Sequence, residues 1–454
     1  MSLDATETRL VSHVESAVDV WLGWASQLVA IPTVSPYAGD DDAGGEAAGQ
    51  EWLAERLAAM GARVRRIPVP PDVYEKAGVR VVRGRSWDNR ENVVGEWDFG
   101  GGGPTLLLNS HMDTVGVADM EIPPFDPAPC GGRIHGRGSS DTKGNLAMGL
   151  AAVDALLAAG GGLRGRLVFE SVVDEECGGA GAGTLACCQA GITGDLAIVL
   201  DGSRGLIASG CNGCATARLI VHGQSGHSSA GTSVSAIDKG LAVKQAVDAF
   251  AAHYSRLHPA CRGSVRIFRA GRVPSVVPNH AELWINLTYD LSEARERERT
   301  DGRWDGVLFM RQLEVKLRSL ADADPWFRKK PVEIDWIYDL TPYADDPDGA
   351  LPRLALKACE DTGDLPATIG TGPAWFDAAN LARQLRVPVI GMGHGVPGVA
   401  HSANEYVEVA GLVAGAKALA VLMARLLRPG DLTKGFEKSA VRMAHASWLQ
   451  QIKG

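Results

Sequence analysis

Apolar positions recur at helical spacing over residues 8–30, where Leu10, Val14, Val18, Trp21, Leu22 and Leu28 share a face, and they predict a first helix. Ile31-Pro32 breaks it, and a second helix runs over 46–60 to Gly61. Short apolar runs at 63–69, 92–98, 105–109, 165–173 and 195–200 then read as strands, with a small-residue helix over 146–159 between them. Strands separated by helices predict an α/β domain whose mostly parallel sheet is covered on both faces. From about Cys211 the texture changes. Residues 215–221, 264–269, 281–289 and 332–338 alternate apolar with polar, as half-exposed antiparallel strands do, and 235–257 and 307–321 show helical periodicity. Two helices on one face of an antiparallel sheet predict a ferredoxin-like α+β domain at 211–341, inserted between 1–210 and 342–454. Within it, the charged run 292–303 reads as an exposed segment. The first domain resumes with a helix at 351–361, a Gly-rich loop at 370–373, a helix at 375–384 and a strand at 387–392. The apolar stretch 407–427 contains Glu408, Lys417 and Arg425, so it reads as a buried helix and not a membrane span.

Composition narrows the classes. Of 454 residues, 45% are hydrophobic and 22% charged, ordinary for a globular protein with ample core. A formal net charge of -9 argues against nucleic acid or another polyanion as partner, and no membrane partner is expected. Eight cysteines are scattered, including adjacent Cys187 and Cys188, which is no disulfide framework and fits a reducing cytoplasm. Cys211-Asn212-Gly213-Cys214 has no second pair and reads as two cysteines packed in a sheet. The N-terminus lacks a basic segment followed by an apolar one, so a cytoplasmic protein without a signal peptide is expected.

The chemistry-bearing residues fall where strands end. His111 and Asp113, two apart, project on one side at the end of the strand that begins at Thr105. Asp141 lies in a Gly-bounded turn entering a helix, Asp174-Glu175-Glu176 follow the strand 165–173, and Asp201 follows the strand 195–200. Singly each has a bland explanation: a hydrogen-bonded His–Asp pair, an exposed acidic strand end, a loop histidine at His401. Together they gather where open parallel sheets bind ligands, beyond the carboxyl ends of the strands. A neutral imidazole beside a carboxylate that fixes its tautomer is the usual construction of a metal ligand. His222, His280 and His394 read as structural or exposed.

The pieces Ser110-His111-Met112-Asp113-Thr114-Val115, Gly136-Arg137-Gly138 with Asp141-Thr142-Lys143-Gly144, Asp174-Glu175-Glu176, Asp201-Gly202, Gly226-His227-Ser228-Ser229 and Ala400-His401-Ser402-Ala403-Asn404-Glu405 together resemble the M20 metallopeptidase and amidohydrolase family. Asp322-Ala323-Asp324-Pro325-Trp326 resembles its acetylornithine deacetylase and succinyl-diaminopimelate desuccinylase branch. The resemblance implies a catalytic domain of zinc-exopeptidase type, a lid and dimerisation role for the inserted domain, and two divalent metal ions, zinc or alternatively cobalt or manganese. It implies that Asp141 bridges the ions, with His111 and Asp201 completing one site and Glu176 and His401 the other. Glu175 would be the general base, Asp113 the orienting partner of His111, and His227 an oxyanion donor from the inserted domain of the neighbour in a homodimer. Gly372 and Asp377 fall in what resembles the substrate loop. Two departures stand out: Ser275-Val276-Val277-Pro278 replaces an Asn-led segment, and Thr288 aligns where an Arg would hold a substrate carboxylate, leaving Arg266, Arg269 or Arg272 as substitutes. The expected function is hydrolysis of an amide in an N-acyl amino acid or related small molecule. The alternatives are a metallo-dipeptidase or carboxypeptidase, and a small-molecule binding protein that has lost turnover, against which the intact Glu175 argues.

Overall fold

The computed structural model describes residues 3–40, 44–79, 81, 84–127, 129–226 and 231–428. A nine-stranded sheet runs in the order Arg63–Ile67, Asn92–Gly100, Gly165–Val172, Thr105–His111, Leu196–Val199, Val389–Met392, Leu206–Cys211 and Tyr343–Ala344, with Thr368–Gly372 also paired to Leu206–Cys211. Its centre is parallel: Gly165–Val172, Thr105–His111, Leu196–Val199 and Val389–Met392 point the same way. Towards both edges neighbours turn antiparallel. Apolar content cannot report strand direction, since Val93 and Val94 on an antiparallel strand are as buried as Leu106 to Leu108 on a parallel one.

The helix Lys143–Ala159 is buried along most of its length, which explains its run of Gly, Ala and Leu. It packs between the sheet and the helices Ala5–Ser16, Val18–Ala30 and Val409–Leu427. Val409–Leu427 is long and apolar enough to cross a membrane, but 78% of its most apolar window is buried inside the protein, so here it is a core helix. The helices Ala182–Gln189 and Ala378–Leu385 cover the opposite face.

A second, four-stranded antiparallel sheet has the order Glu333–Leu340, Gly213–His222, His280–Tyr289, Gly263–Ala270. Ala236–Leu257 and Val307–Arg318 bury one face of it in a core of its own. Burial alternates residue by residue along His280–Tyr289, as its sequence predicts.

Three local expectations change. The single helix at 8–30 is two, broken at Ala17, and the Trp21 indole N–H reaches back across the break to the Val14 carbonyl at 3.1 Å. The charged run at 292–303 is largely exposed, as expected, but most of it is ordered as a helix, Leu291–Asp301. Asp290 caps it by accepting from the Ser292 N–H at 2.9 Å, and Gly302 ends it at φ 67°. Its charges conceal a buried stripe of Leu291, Ala294 and Arg297. The Gly-rich loop at 370–373 contributes instead to the strand Thr368–Gly372. All eight cysteines are free thiols, with Cys211 and Cys214 buried in consecutive strands.

Candidate metal centre

His111 is the last residue of the strand Thr105–His111, and its Nδ1–H donates to the carbonyl oxygen of Asp113 at 2.9 Å. That bond leaves the Nε2 lone pair facing Oδ1 of Asp141 at 3.1 Å, with Oδ2 of Asp201 at 4.0 Å. On the other side, Nε2 of His401 lies 3.3 Å from Oδ2 of Asp141 and 2.8 Å from Oε1 of Glu176. The two oxygens of Asp141 thus face two different imidazoles. Donor atoms of His111, Asp141 and Glu176 lie within 4.8 Å of one another.

Asp113 does a different job from the one expected. Its carboxylate stands 3.9 Å from His111 and accepts instead from the backbone N–H groups of Glu175 and Glu176, at 3.2 and 3.0 Å. The imidazole is oriented by the Asp113 main chain, and the side chain holds the Glu175-Glu176 turn.

Several clamps escaped the sequence reading. Glu405 is fully buried, accepts from the N–H groups of Ser140 and Asp141 at 2.9 and 3.1 Å, and pairs with Arg137 at 2.6 Å across 268 residues of chain. Thr142 ties the same turn to the Leu200 carbonyl, next to Asp201, at 3.0 Å. Gly144 lets the turn close, since a Cβ there would lie 2.2 Å from the Ser139 oxygen. Asp174, at φ 67°, is gripped by Tyr74, by Arg85 at 2.6 Å and by Arg90 at 3.0 Å, and so anchors the turn that carries Glu175. Glu405 sat within a motif read for His401, and Asp174 beside the glutamate pair; the partners of both lie far off in sequence.

The electrostatics fit a cation. Burial raises the carboxyl of Asp201 to about 7, helped by the charge of Asp141. Burial likewise pushes Glu175 well above the carboxylate range; the charge of His111 opposes this, and Glu176 and Asp201 reinforce it. The neighbouring charge of Glu176 first, and then Asp141, lift His401 to about 11. For His111 burial works downward, but Asp141, Glu175 and Asp201 outweigh it and the imidazole is pushed well up. These four groups are driven towards binding protons because negative charge is crowded among them, whereas Asp141 goes the other way: burial works upward, but its hydrogen bonds with His111 and His401 outweigh it and hold its carboxyl well below the usual range. Hard carboxylates and imidazoles facing one another at contact distance are a donor set suited to zinc-like divalent ions.

A cavity of about 260 Å³ opens over this centre. Asp141, Glu175, Glu176, Asp201 and His401 are among its lining residues, together with Gly372, Pro373, Trp375, Phe376, Leu206 and Val396. Asp377 is not brought to it. It is buried at the start of Ala378–Leu385, accepts from Asn380 at 3.3 Å, and lies where a Cβ on Gly181 (φ 68°) would come within 1.9 Å of its Oδ1. His227 lies outside the described residues. His394 is buried away from the cavity, its backbone N–H donating to Asn145 at 2.7 Å, and burial followed by the charge of Arg204 lowers its imidazole to about 4. His222 pairs with Glu333 at 2.7 Å.

Residues 107–425 match Peptidase family M20/M25/M40. Over 445 residues, 90% of this chain and 95% of the other, the sequence is 28% identical to the N-formyl-4-amino-5-aminomethyl-2-methylpyrimidine deformylase of Halalkalibacterium halodurans. Over 218 residues, 45% of this chain and 51% of the other, it is 34% identical to the succinyl-diaminopimelate desuccinylase of Leptothrix cholodnii. The crystal structure of human carnosine dipeptidase 1 shares the fold with a TM-score of 0.71 at 15% identity, covering 93% of this chain and 100% of that one.

Proposed function

Because the chain belongs to peptidase family M20/M25/M40, we propose that it is a deacylase that hydrolyses the amide of a small N-acyl amine or N-acyl amino acid with two divalent metal ions, zinc by preference and cobalt or manganese as alternatives. The observation that carries the reading is Asp141, whose two oxygens face His111 and His401 separately. In this reading His111 and Asp201 hold one ion, Glu176 and His401 the other, and Asp141 both. Such ions, when bound, would acidify a water and polarise the amide carbonyl.

The chain's own groups do the rest. Glu175 reaches the cavity from a turn fixed by Asp113 and Asp174, which suits it to take the proton of the attacking water and pass it to the leaving amine. Its raised pKa reflects burial among carboxylates. Gly372 is a cavity-wall residue in this scheme and Asp377 a support behind the wall. The deacylase reading is favoured over a peptidase because the relative matched over most of the chain is a deformylase, whereas the dipeptidase likeness is one of fold.

We further take 1–210 with 342–454 as the catalytic domain and 211–341 as a lid that pairs two copies, with His227 reaching the neighbour's site. The separate core of the inserted unit and the exposed Ile237, Leu241 and Ile267 beside its edge strand Gly263–Ala270 support this. A cytoplasmic location suits eight free thiols. The test is elemental analysis of the purified protein, followed by chelation and re-addition of zinc or cobalt during hydrolysis of N-formyl and N-acetyl amines. About two metal ions per chain and restored turnover are expected; turnover that survives complete metal removal rejects the reading.

A further inference from the structure

We infer that the cavity selects the amide of a small, uncharged aromatic amine and disfavours substrates with an α-carboxylate, with Trp375 as the specificity-determining side chain. This rests on the amide-hydrolase reading above.

The cavity lining is of two chemical kinds. Acidic residues and His401 belong to the metal centre; the rest of its bulky lining is apolar, from Trp375, Phe376, Pro373, Leu206 and Val396. Among the described residues no Lys or Arg lines it. A carboxylate set against that apolar lining would lose its water and gain no cation, and an unpaired buried carboxylate is among the costliest groups to accommodate. The arginines that could have served are committed or distant. Arg204 pairs with Glu408 and Arg85 with Asp174. Arg266, Arg269 and Arg272 are exposed on or beside the edge strand of the other sheet. Thr288, at the position expected for a carboxylate-binding Arg, is spent on the Arg262 backbone, accepting its N–H at 2.7 Å and donating to its carbonyl at 3.0 Å.

Trp375 is built to present a surface. It is partly buried and packs against two apolar clusters, so its body is anchored. Its neighbour Phe376 is buried and meets Tyr343 edge-on at 5.9 Å, which makes the wall rigid. Trp375 is also one of the residues lining the cavity, where a flat ligand ring can lie against its indole. At about 260 Å³ the space lies below the roughly 300–1,000 Å³ of drug-sized pockets, so one ring and a short amide suit it.

The experiment compares four probes on the metal-loaded protein: N-formylbenzylamine, N-formylbutylamine, N-formylphenylalanine and N-formylphenylalaninamide. N-formylbenzylamine should exceed N-formylphenylalanine in kcat/KM by roughly 10–100-fold, the cost of an unpaired charge. The uncharged carboxamide should recover most of that loss; if it is as poor as the acid, bulk and not charge is the cause and the inference fails. Trp375→Ala should raise KM for N-formylbenzylamine roughly 5–10-fold with kcat little changed, and raise KM for N-formylbutylamine by a clearly smaller factor. Trp375→Phe should restore most of the KM. Equal losses on both amines would overturn the role of Trp375. Calorimetric binding of the same probes to metal-loaded Glu175→Gln reads recognition without turnover. If no amide is hydrolysed but the benzyl amide still binds best, the hydrolase reading falls and this inference stands; if amides are hydrolysed with the carboxylate preferred, this inference falls alone.

Discussion

Glu175 and Glu176 are adjacent, yet their side chains meet different groups: Glu176 touches His401 at 2.8 Å, while Glu175 opens to the cavity with no ion-pair partner among the described residues. Glu175→Gln should therefore keep metal content and fold while turnover falls by about 10²–10⁴. Glu176→Gln should instead lower the metal stoichiometry, and swapped phenotypes on elemental analysis and kinetics would reverse the assignment. Glu170 supplies a pH test away from the ligands. Fully buried in the sheet and hydrogen-bonded by Asn109 at 3.1 Å, it has its carboxyl raised by burial to about 8. The folded protein keeps that proton up to about pH 8, whereas the unfolded chain releases it near the ordinary value of about 4.3. The unfolded state binds fewer protons in between, so this group makes stability fall as pH rises through the window. Glu170→Gln should flatten the dependence of unfolding free energy on pH between about 5 and 8, measured by urea titration. An unchanged slope would show that another group carries it.

Elements matter here through what their ends hold. The turn before Lys143–Ala159 owes its shape to Glu405 and to the absence of a side chain at Gly144. Glu405→Ala leaves Arg137 buried without its partner, a class of change that costs about 3–5 kcal/mol. It also frees the backbone that points Asp141 at both imidazoles. Loss of stability together with loss of metal is expected; full metal occupancy in a folded variant would separate the clamp from the site. The helix Leu291–Asp301 depends on a cap its charged sequence hides. Asp290→Ala should destabilise the protein by about 1 kcal/mol in chemical denaturation, the usual worth of such a cap, with metal content untouched.

At the scale of the whole molecule, the centre draws on residues from position 111 to 401 that meet only because the central parallel strands end on one side. Two copies complete it in the proposed dimer. Glu175→Gln and His227→Ala, each inactive alone, should regain activity when mixed under conditions of subunit exchange, because a mixed dimer then joins one intact Glu175 to one intact His227. No recovery after exchange is demonstrated rejects action across the interface, and an active monomer rejects it sooner.

Most strands and helices, and the carboxylates and histidines that collect at strand ends, were legible in the chain alone, because period and residue type are local properties; the break at Ala17 and the helix Leu291–Asp301 were not. The sequence also marked the break in texture near Cys211, where continuous apolar runs give way to alternation. That the flanking strands run antiparallel emerged with the assembled sheet, since burial looks alike in either direction. The assembled fold likewise decided that the Asp113 carbonyl orients His111 while the carboxylate holds a turn, a division set by distances of 2.9 and 3.9 Å that no spacing encodes. The same holds for Glu405 with Arg137 and for Asp174 with Arg85 and Arg90: each pair is distant in sequence, and a buried charge finds its partner only when the chain has closed around both.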